Sequence, residues 1–220
     1  MRPLVEACCD SLATARAAQA AGAGRIELCG SGDGGTTPSH GLIARAREAL
    51  HVPLAVMIRP RAGNFVYAPH EIEVMHADIV TARALGADAV VLGVLHDNGT
   101  IDEVLLLALL AVARPLRVTF HRAFDRTPNA HAALDRLVAL GVDTVLTSGH
   151  ATTARDGIAT LRELHRRAGE RLTIMACGGI RANNVREVIE LTGVREVHAR
   201  ATDSVVFAEL TAAMGLADGA

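Results

Sequence analysis

The sequence contains no lysine and no tryptophan, and its 220 residues include only one tyrosine and four phenylalanines. All 22 basic side chains are arginines, and the formal net charge is −2. Such a charge gives no electrostatic attraction to nucleic acid or to an anionic membrane. So few aromatic rings also leave little surface on which bases could stack. We therefore expect neither a nucleic-acid partner nor a membrane.

Cysteines and long apolar runs are also scarce. The four cysteines, Cys8, Cys9, Cys29 and Cys177, are too few and too scattered for a disulfide framework. The first residues, MRPLVEACCDS, lack a basic region followed by an apolar stretch, so we expect no signal peptide. The longest apolar run, VLLLALLAVA at 104–113, is shorter than the roughly 18 residues that a membrane span needs. These observations predict a cytosolic protein with reduced thiols.

A repeated pattern organises the chain. In each of four stretches a glycine precedes a small apolar residue and then a short β-rich run. These stretches are GAGRIELCG from Gly22, GADAVVLGV from Gly86, GVDTVLTSG from Gly141 and GVREVHARA from Gly193. We expect each glycine to end a helix in the left-handed conformation. A second set of β-rich runs alternates with the first: PLVEACCD from Pro3, PLAVMIRP from Pro53, PLRVTFHR from Pro115 and RLTIMACG from Arg171. Eight strands are predicted.

Segments of helical periodicity separate these strands, among them LATARAAQAA, EIEVMHADIVTARAL, EVLLLALLAVA and AHAALDRLVAL. Strict alternation of strands and helices predicts parallel strands with crossovers. Eight such units fit an α/β protein built as a single (β/α)8 TIM-type barrel over residues 1–220, near the compact end of the usual range of about 200 to 400 residues. The stretch GSGDGGTTPSHG is interpreted as a loop after the second strand, and the last helix is expected at about Val206 to Met214.

Polar side chains at the strand ends predict a site at the C-terminal mouth of this barrel. Alternation along the strands puts them on one face, and that face should point inward because charges beneath the helices would be buried without partners. A purely structural buried ion network is the alternative interpretation of four of them: Glu6, Glu27, Arg59 and His121. The full set of candidate catalytic residues is Glu6, Glu27, Arg59, His121, Asp125 and His198.

Two further signals concern ligands. Gly178 and Gly179 follow the seventh strand, and with a helix start near Asn183 they predict an anion site, although a tight turn would explain the glycines equally well. Cys8 and Cys29 end neighbouring strands. Their thiolates would suit Cu(I) or zinc, whereas a buried cysteine more commonly acts as a small hydrophobic residue.

Several longer motifs resemble the CutC family of copper homeostasis proteins, in order from about residue 4 to residue 200. They are VEACCDS, GRIELC, DGGTTPSHGL, MIRPRAGNFVY, VVLGVL, VTFHRAFD and VLTSG. The resemblance implies a cytosolic TIM-type barrel, usually a homo-oligomer, whose proposed Cu(I) ligands match Cys8 and Cys29. This chain departs from the family pattern, which usually has aspartate at Asn64, glycine at Cys177 and small residues at His150 and Arg200.

Two functions follow as predictions. The first is Cu(I) binding and buffering through thiolates at the barrel mouth, with copper as the partner and no organic cofactor. The alternative is an enzyme acting on a small phosphorylated or carboxylated metabolite, with His121 and Glu27 as the acid/base pair and Arg59 as the anion clamp. The variety of polar residues favours the enzyme, because a metal carrier needs only two thiols. The family resemblance favours copper.

Overall fold

The computed structural model describes residues 3–31 and 35–216, and within them eight parallel strands alternate with eight α-helices. Each strand pairs with the next, and β8 pairs with β1, so the sheet closes and the predicted (β/α)8 TIM-type barrel is confirmed. The strands are β1 Leu4–Cys9, β2 Arg25–Leu28, β3 Leu54–Met57, β4 Ala89–Leu92, β5 Arg117–Phe120, β6 Thr144–Thr147, β7 Thr173–Ala176 and β8 Glu196–Arg200. The helices are α1 Leu12–Ala20, α2 His40–Ala49, α3 Pro69–Ala84, α4 Glu103–Ala113, α5 Ala130–Leu140, α6 Ile158–Ala168, α7 Val185–Thr192 and α8 Ser204–Ala213.

The four glycines of the repeat behave as the sequence predicts. Gly22, Gly86, Gly141 and Gly193 have φ angles of 95°, 82°, 76° and 79°, in the left-handed region that side chains with a Cβ rarely adopt. Each follows the end of a helix and turns the chain back into β2, β4, β6 or β8. These glycines therefore allow the close helix-to-strand turns that repeat around the barrel.

Local capping explains where the helices begin. Helix α3 starts at Pro69, and the Glu71 carboxylate accepts the Ala68 amide at 2.8 Å. Helix α8 starts at Ser204, two residues before the predicted Val206, because the Asp203 carboxylate accepts the amides of Val205 and Val206. Over the two described ranges, no helix combines the length and the apolar character needed to cross a membrane.

Alternation along the strands divides the core into an outer and an inner part. Outward side chains such as Val5, Ile26 and Val90 pack beneath the helices. Inside the barrel, two smaller apolar clusters form, one around Met57 and Val91 and the other from Leu146, Met175 and Cys177. The remaining inward positions are polar and lead to the mouth. Of the glycine-rich loop after β2, residues 32–34 lie outside the described residues.

Candidate functional site at the barrel mouth

A cavity of about 990 Å³ opens at the C-terminal ends of the strands. Because side chains alternate along a strand, the inward residues of all eight strands converge there. Nine of the residues predicted for the site line this cavity: Cys8, Glu27, Cys29, Arg59, His121, Asp125, Gly178, Gly179 and His198. The cavity lining does not include the predicted residues Glu6 and Asn183.

Glu6 lies beneath the cavity in a buried ion network. The parallel register pairs it with Arg25 on β2 and His198 on β8. One carboxylate oxygen of Glu6 accepts from Arg25 Nε, and the other lies 2.8 Å from His198 Nδ1. Burial alone would raise the pKa of Glu6, but the hydrogen bond from His198 and the charge of Arg25 lower it to about 2. Glu6 is therefore an ionised carboxylate that holds His198. Its partners, Arg25 and His198, do not include Arg59 or His121, the residues named with it in the predicted ion network.

Glu27 is the second buried carboxyl group and differs from Glu6 in its charge state. Its Oε2 atom lies 3.7 Å from His198 Nε2, while Oε1 has no hydrogen-bond partner among the described residues. Burial raises the pKa of Glu27, and the negative charge of Glu6 raises it further. The charge of His198 lowers this pKa, but the net shift is upward. Burial opposes protonation of His198, but Glu27 and Glu6 raise its pKa. His198 thus lies between a carboxylate and a carboxyl group that holds its proton more tightly than usual.

The two candidate metal-binding thiols are in contact. Cys8 Sγ lies 3.4 Å from Cys29 Sγ, and Cys8 is half-buried at the cavity while Cys29 is buried. The hydrogen bond between the thiols, followed by burial, raises the pKa of Cys8. Ligand atoms of Cys8, Cys29 and Glu27 all lie within 4.8 Å of one another. Cys9 belongs to the core beneath the helices, so it does not face this group.

His121 presents an unpartnered donor to the cavity. Its Nδ1 accepts the amide of Ala123 at 3.2 Å, which leaves the proton of the neutral ring on Nε2. Burial and the charge of Arg59 lower the pKa of His121 to about 3, so the ring is neutral at physiological pH. Within the described part of the chain, Nε2 has no hydrogen-bond partner. The ring can therefore donate one hydrogen bond to a ligand.

Two residues that sequence reasoning missed hold this imidazole. The Phe65 ring lies 4.8 Å from that of His121, and a Cβ atom on Gly93 would lie 2.5 Å from the His121 ring. Gly93 thus leaves the space that the ring occupies at the end of β4. Both residues occur in motifs that carry the family resemblance, but their contact joins β3, β4 and β5 and has no signal in the sequence of any one strand.

Arg59 links the loops around the mouth. Its guanidinium donates to the carbonyls of Gly35 and Gly63, each at 3.0 Å, and lies 5.2 Å from the centre of the Phe65 ring. The backbones of Arg59 and Thr37 are also joined by a hydrogen bond of 2.9 Å. Arg59 is only 6% exposed, so these contacts fix the loops after β2 and β3.

Asp125 supports the loop after β6. Its carboxylate accepts from the Ser148 hydroxyl at 3.0 Å, from Arg122 Nε at 2.9 Å and from the His150 amide at 3.2 Å. His150 has a φ of 58°, in the left-handed region, which explains why a small residue would suit this position. With its oxygens already accepting several hydrogen bonds, Asp125 serves to position this loop.

The corner after β7 has a different character. Gly178 and Gly179 have φ angles of 92° and 70°, and their amides donate to no acceptor among the described residues. Helix α7 begins at Val185, two residues after the predicted Asn183. Arg181 and Arg200 also line the cavity here. This corner therefore presents backbone and side-chain donors together.

Comparison with known proteins gives a consistent result. A model of the CutC family matches residues 3–203. The chain is 46% identical over 202 residues to the copper homeostasis protein cutC homolog of Mus musculus, covering 91% of this chain and 74% of that protein. It is 44% identical over 217 residues to the Homo sapiens homolog, covering 96% and 80%. A crystal structure of a CutC protein from Streptococcus agalactiae superposes with a TM-score of 0.85 at 38% identity, covering 89% of this chain and 97% of that one.

Proposed function

The chain belongs to the CutC family, and we propose that it binds Cu(I) through the Cys8 and Cys29 thiolates at the mouth of the barrel. The observation that carries the proposal is the Sγ–Sγ distance of 3.4 Å between two thiols from neighbouring strands. Soft thiolate sulfur is a preferred ligand of Cu(I), whereas the nearby Glu27 carboxylate is a harder ligand. Two thiols in contact at a cavity wall can bind one such ion together.

Access to the site supports a role in buffering or delivery. Cys8 is half-buried and lines the cavity, so an incoming ligand can reach one sulfur of the pair from solvent. The other two cysteines are placed differently: Cys9 faces the helices, and Cys177 packs with Leu146 and Met175. The cytosolic location and the homo-oligomer stay predictions.

Competition for Cu(I) against a chelator of known affinity tests the proposal. We expect Cys8→Ser and Cys29→Ser each to weaken binding by at least tenfold, because each removes one of two sulfur ligands. Cys9→Ser is the matched control, since Cys9 lies next to Cys8 in the same strand but on the opposite face. All measurements need one fixed pH, because metal binding displaces thiol protons. Equal affinity in all four proteins would show that copper binding is adventitious.

An acid/base enzyme remains the second candidate. It is favoured by His121 Nε2 and Glu27 Oε1, which are both buried at the cavity and lack hydrogen-bond partners among the described residues. A carboxyl group of raised pKa is better suited to proton transfer near neutral pH than an ordinary one, and the neutral imidazole can donate a hydrogen bond to the substrate. Such an enzyme must first hold an anionic substrate in the cavity, so ligand binding is its first test.

A further inference from the structure

We propose that the β7–β8 side of the mouth binds the phosphate group of a small phosphorylated metabolite, whose uncharged polar part extends toward His121. This site would adjoin the Cys8–Cys29 thiol pair, because Arg200 pairs with Cys8 between β8 and β1, and it would add a second ligand to the proposed Cu(I) binding. Four observations support it: the arginines, the backbone amides, the buried polar atoms and the size of the cavity.

The arginines supply positive charge at the outer rim. Glu196, His198 and Arg200 alternate inward along β8, which places Arg200 one layer above His198. Its guanidinium makes no hydrogen bond or ion pair with the part of the chain that the structure describes. Arg181, on the adjacent loop, is exposed and lines the same cavity. Among the described residues its guanidinium makes one hydrogen bond, to the Ile180 carbonyl. Several guanidinium donors therefore remain for an anion.

Backbone donors lie beside these arginines. The amides of Gly178 and Gly179 have no acceptor among the described residues, and both residues line the cavity. Neither carries a side chain that would keep a ligand away from the backbone. A phosphate has three terminal oxygens that accept charge-assisted hydrogen bonds, so it can use amide and guanidinium donors at the same time.

Buried polar atoms deeper in the cavity indicate that the ligand is larger than an inorganic anion. His121 is 4% exposed and Glu27 is 2% exposed, yet His121 Nε2 and Glu27 Oε1 lack partners among the residues described. Buried polar groups are normally hydrogen-bonded. Hydroxyl groups on the ligand would satisfy them, because a hydroxyl can accept from His121 Nε2–H and donate to Glu27 Oε1. The cavity of about 990 Å³ is at the upper end of the size range of small-molecule pockets.

Calorimetric titration at fixed ionic strength tests the proposal, with ribose 5-phosphate, inorganic phosphate and ribose as probes. We expect ribose 5-phosphate to bind more tightly than inorganic phosphate, and ribose to bind least. Arg200→Ala and Arg181→Ala should each weaken ribose 5-phosphate binding by about tenfold or more, because each removes a charge-assisted hydrogen bond. Arg166→Ala is the matched control, since exposed Arg166 lies in the last turn of α6, away from the mouth.

The thiol variants separate this site from the copper site. Cys29 follows β2 and is two strands away from Arg200, so Cys29→Ser should bind ribose 5-phosphate as the wild type does, whatever its affinity for Cu(I). Three results would overturn the proposal: no binding of ribose 5-phosphate to the wild type, equal binding of ribose and ribose 5-phosphate, or equal affinity in the Arg200, Arg181 and Arg166 variants. Loss of ribose 5-phosphate binding in Cys29→Ser would also overturn it, because the ligand would then occupy the thiol side.

Discussion

The two sides of the barrel mouth differ in how their polar groups are satisfied. On the β1–β2 side, Glu6 has partners on two neighbouring strands, and the two thiols contact each other. On the β7–β8 side, the Arg200 guanidinium and the amides of Gly178 and Gly179 have no partners among the described residues. Apart from Glu27 Oε1, the polar groups of the first side are satisfied by the protein itself, whereas the second side presents donors that a ligand would satisfy.

Burial explains this difference. The Glu6 side chain is completely buried, and a buried charge is tolerated only when it is paired and hydrogen-bonded. Arg200 is exposed, so water solvates its guanidinium when no ligand is present. Substitution of the paired charge Glu6 on the first side should therefore change stability, and substitution of Arg200 on the second side should change binding alone.

The largest expected effect on stability distinguishes the two buried carboxyl groups, Glu6 and Glu27. Glu6→Gln should lower the free energy of unfolding at pH 7 by about 3 kcal/mol or more, because it removes the charged carboxylate that Arg25 and His198 share, and the remaining Arg25–Glu196 ion pair replaces only part of that interaction. Glu27→Gln is the same chemical change at a group of raised pKa, and it should change stability by no more than about 1 kcal/mol. Urea unfolding of both variants measures the difference, and equal losses would contradict it.

The pH dependence of the unfolding free energy is the control for the Glu6→Gln and Glu27→Gln variants. The pKa of Glu6 is lowered from 4.5 to about 2, so its contribution is present above pH 4.5 and is lost as the pH falls toward 2. The difference in unfolding free energy between the wild type and Glu6→Gln should decrease as the pH falls from 4.5 to about 2. For Glu27 the sign is opposite. Because its folded-state pKa is raised, the wild type should lose stability relative to Glu27→Gln as the pH rises above 4.5.

These comparisons also show what can be predicted from the sequence. The eight strands, the barrel and the inward direction of Cys8, Arg59 and His121 follow from glycine punctuation and period-two alternation. The depth of each residue does not follow from that alternation, because it depends on the stagger between strands. Glu6 therefore lies beneath the cavity although its strand position is equivalent to positions that line it.

Contacts between distant strands were likewise not predictable. The sequence predicts a catalytic role for Asp125 but not its hydrogen bonds from Ser148 and His150 in the loop after β6, because nothing in TFHRAFDRT encodes those donors. Gly93 occurs within an apolar run, where a glycine ordinarily indicates a bulge or close backbone approach. The role of Gly93 depends on the His121 ring, 28 residues later, which the fold packs against it.

An intermediate effect is expected on the opposite wall of the barrel mouth, at His121 after β5. Gly93→Ala places a Cβ atom 2.5 Å from the imidazole, so the ring must move, at a cost of about 1–3 kcal/mol in unfolding free energy. Gly41→Ala is the matched control, because nothing lies within 4 Å of that Cβ and the site is in helix α2, where alanine is favourable. In Gly93→Ala, but not in Gly41→Ala, we expect the His121 ring to lose the Nε2–H tautomer. Nitrogen NMR of the imidazole ring measures this change. An unchanged ring signal would show that the backbone moves instead.

The smallest effect on stability is expected on the β7–β8 side. Arg200→Ala should change the free energy of unfolding by no more than about 0.5 kcal/mol in a buffer without phosphate or sulfate, because the guanidinium has no partner among the described residues to lose. Removing one of several like charges at the rim also relieves repulsion. With ribose 5-phosphate present, however, the wild type should unfold at a higher temperature than Arg200→Ala, since a ligand stabilises the state that binds it. Thermal unfolding with and without the ligand measures both effects. A loss of more than about 1 kcal/mol without ligand would mean that Arg200 supports the fold, and the contrast between the two sides would then fail.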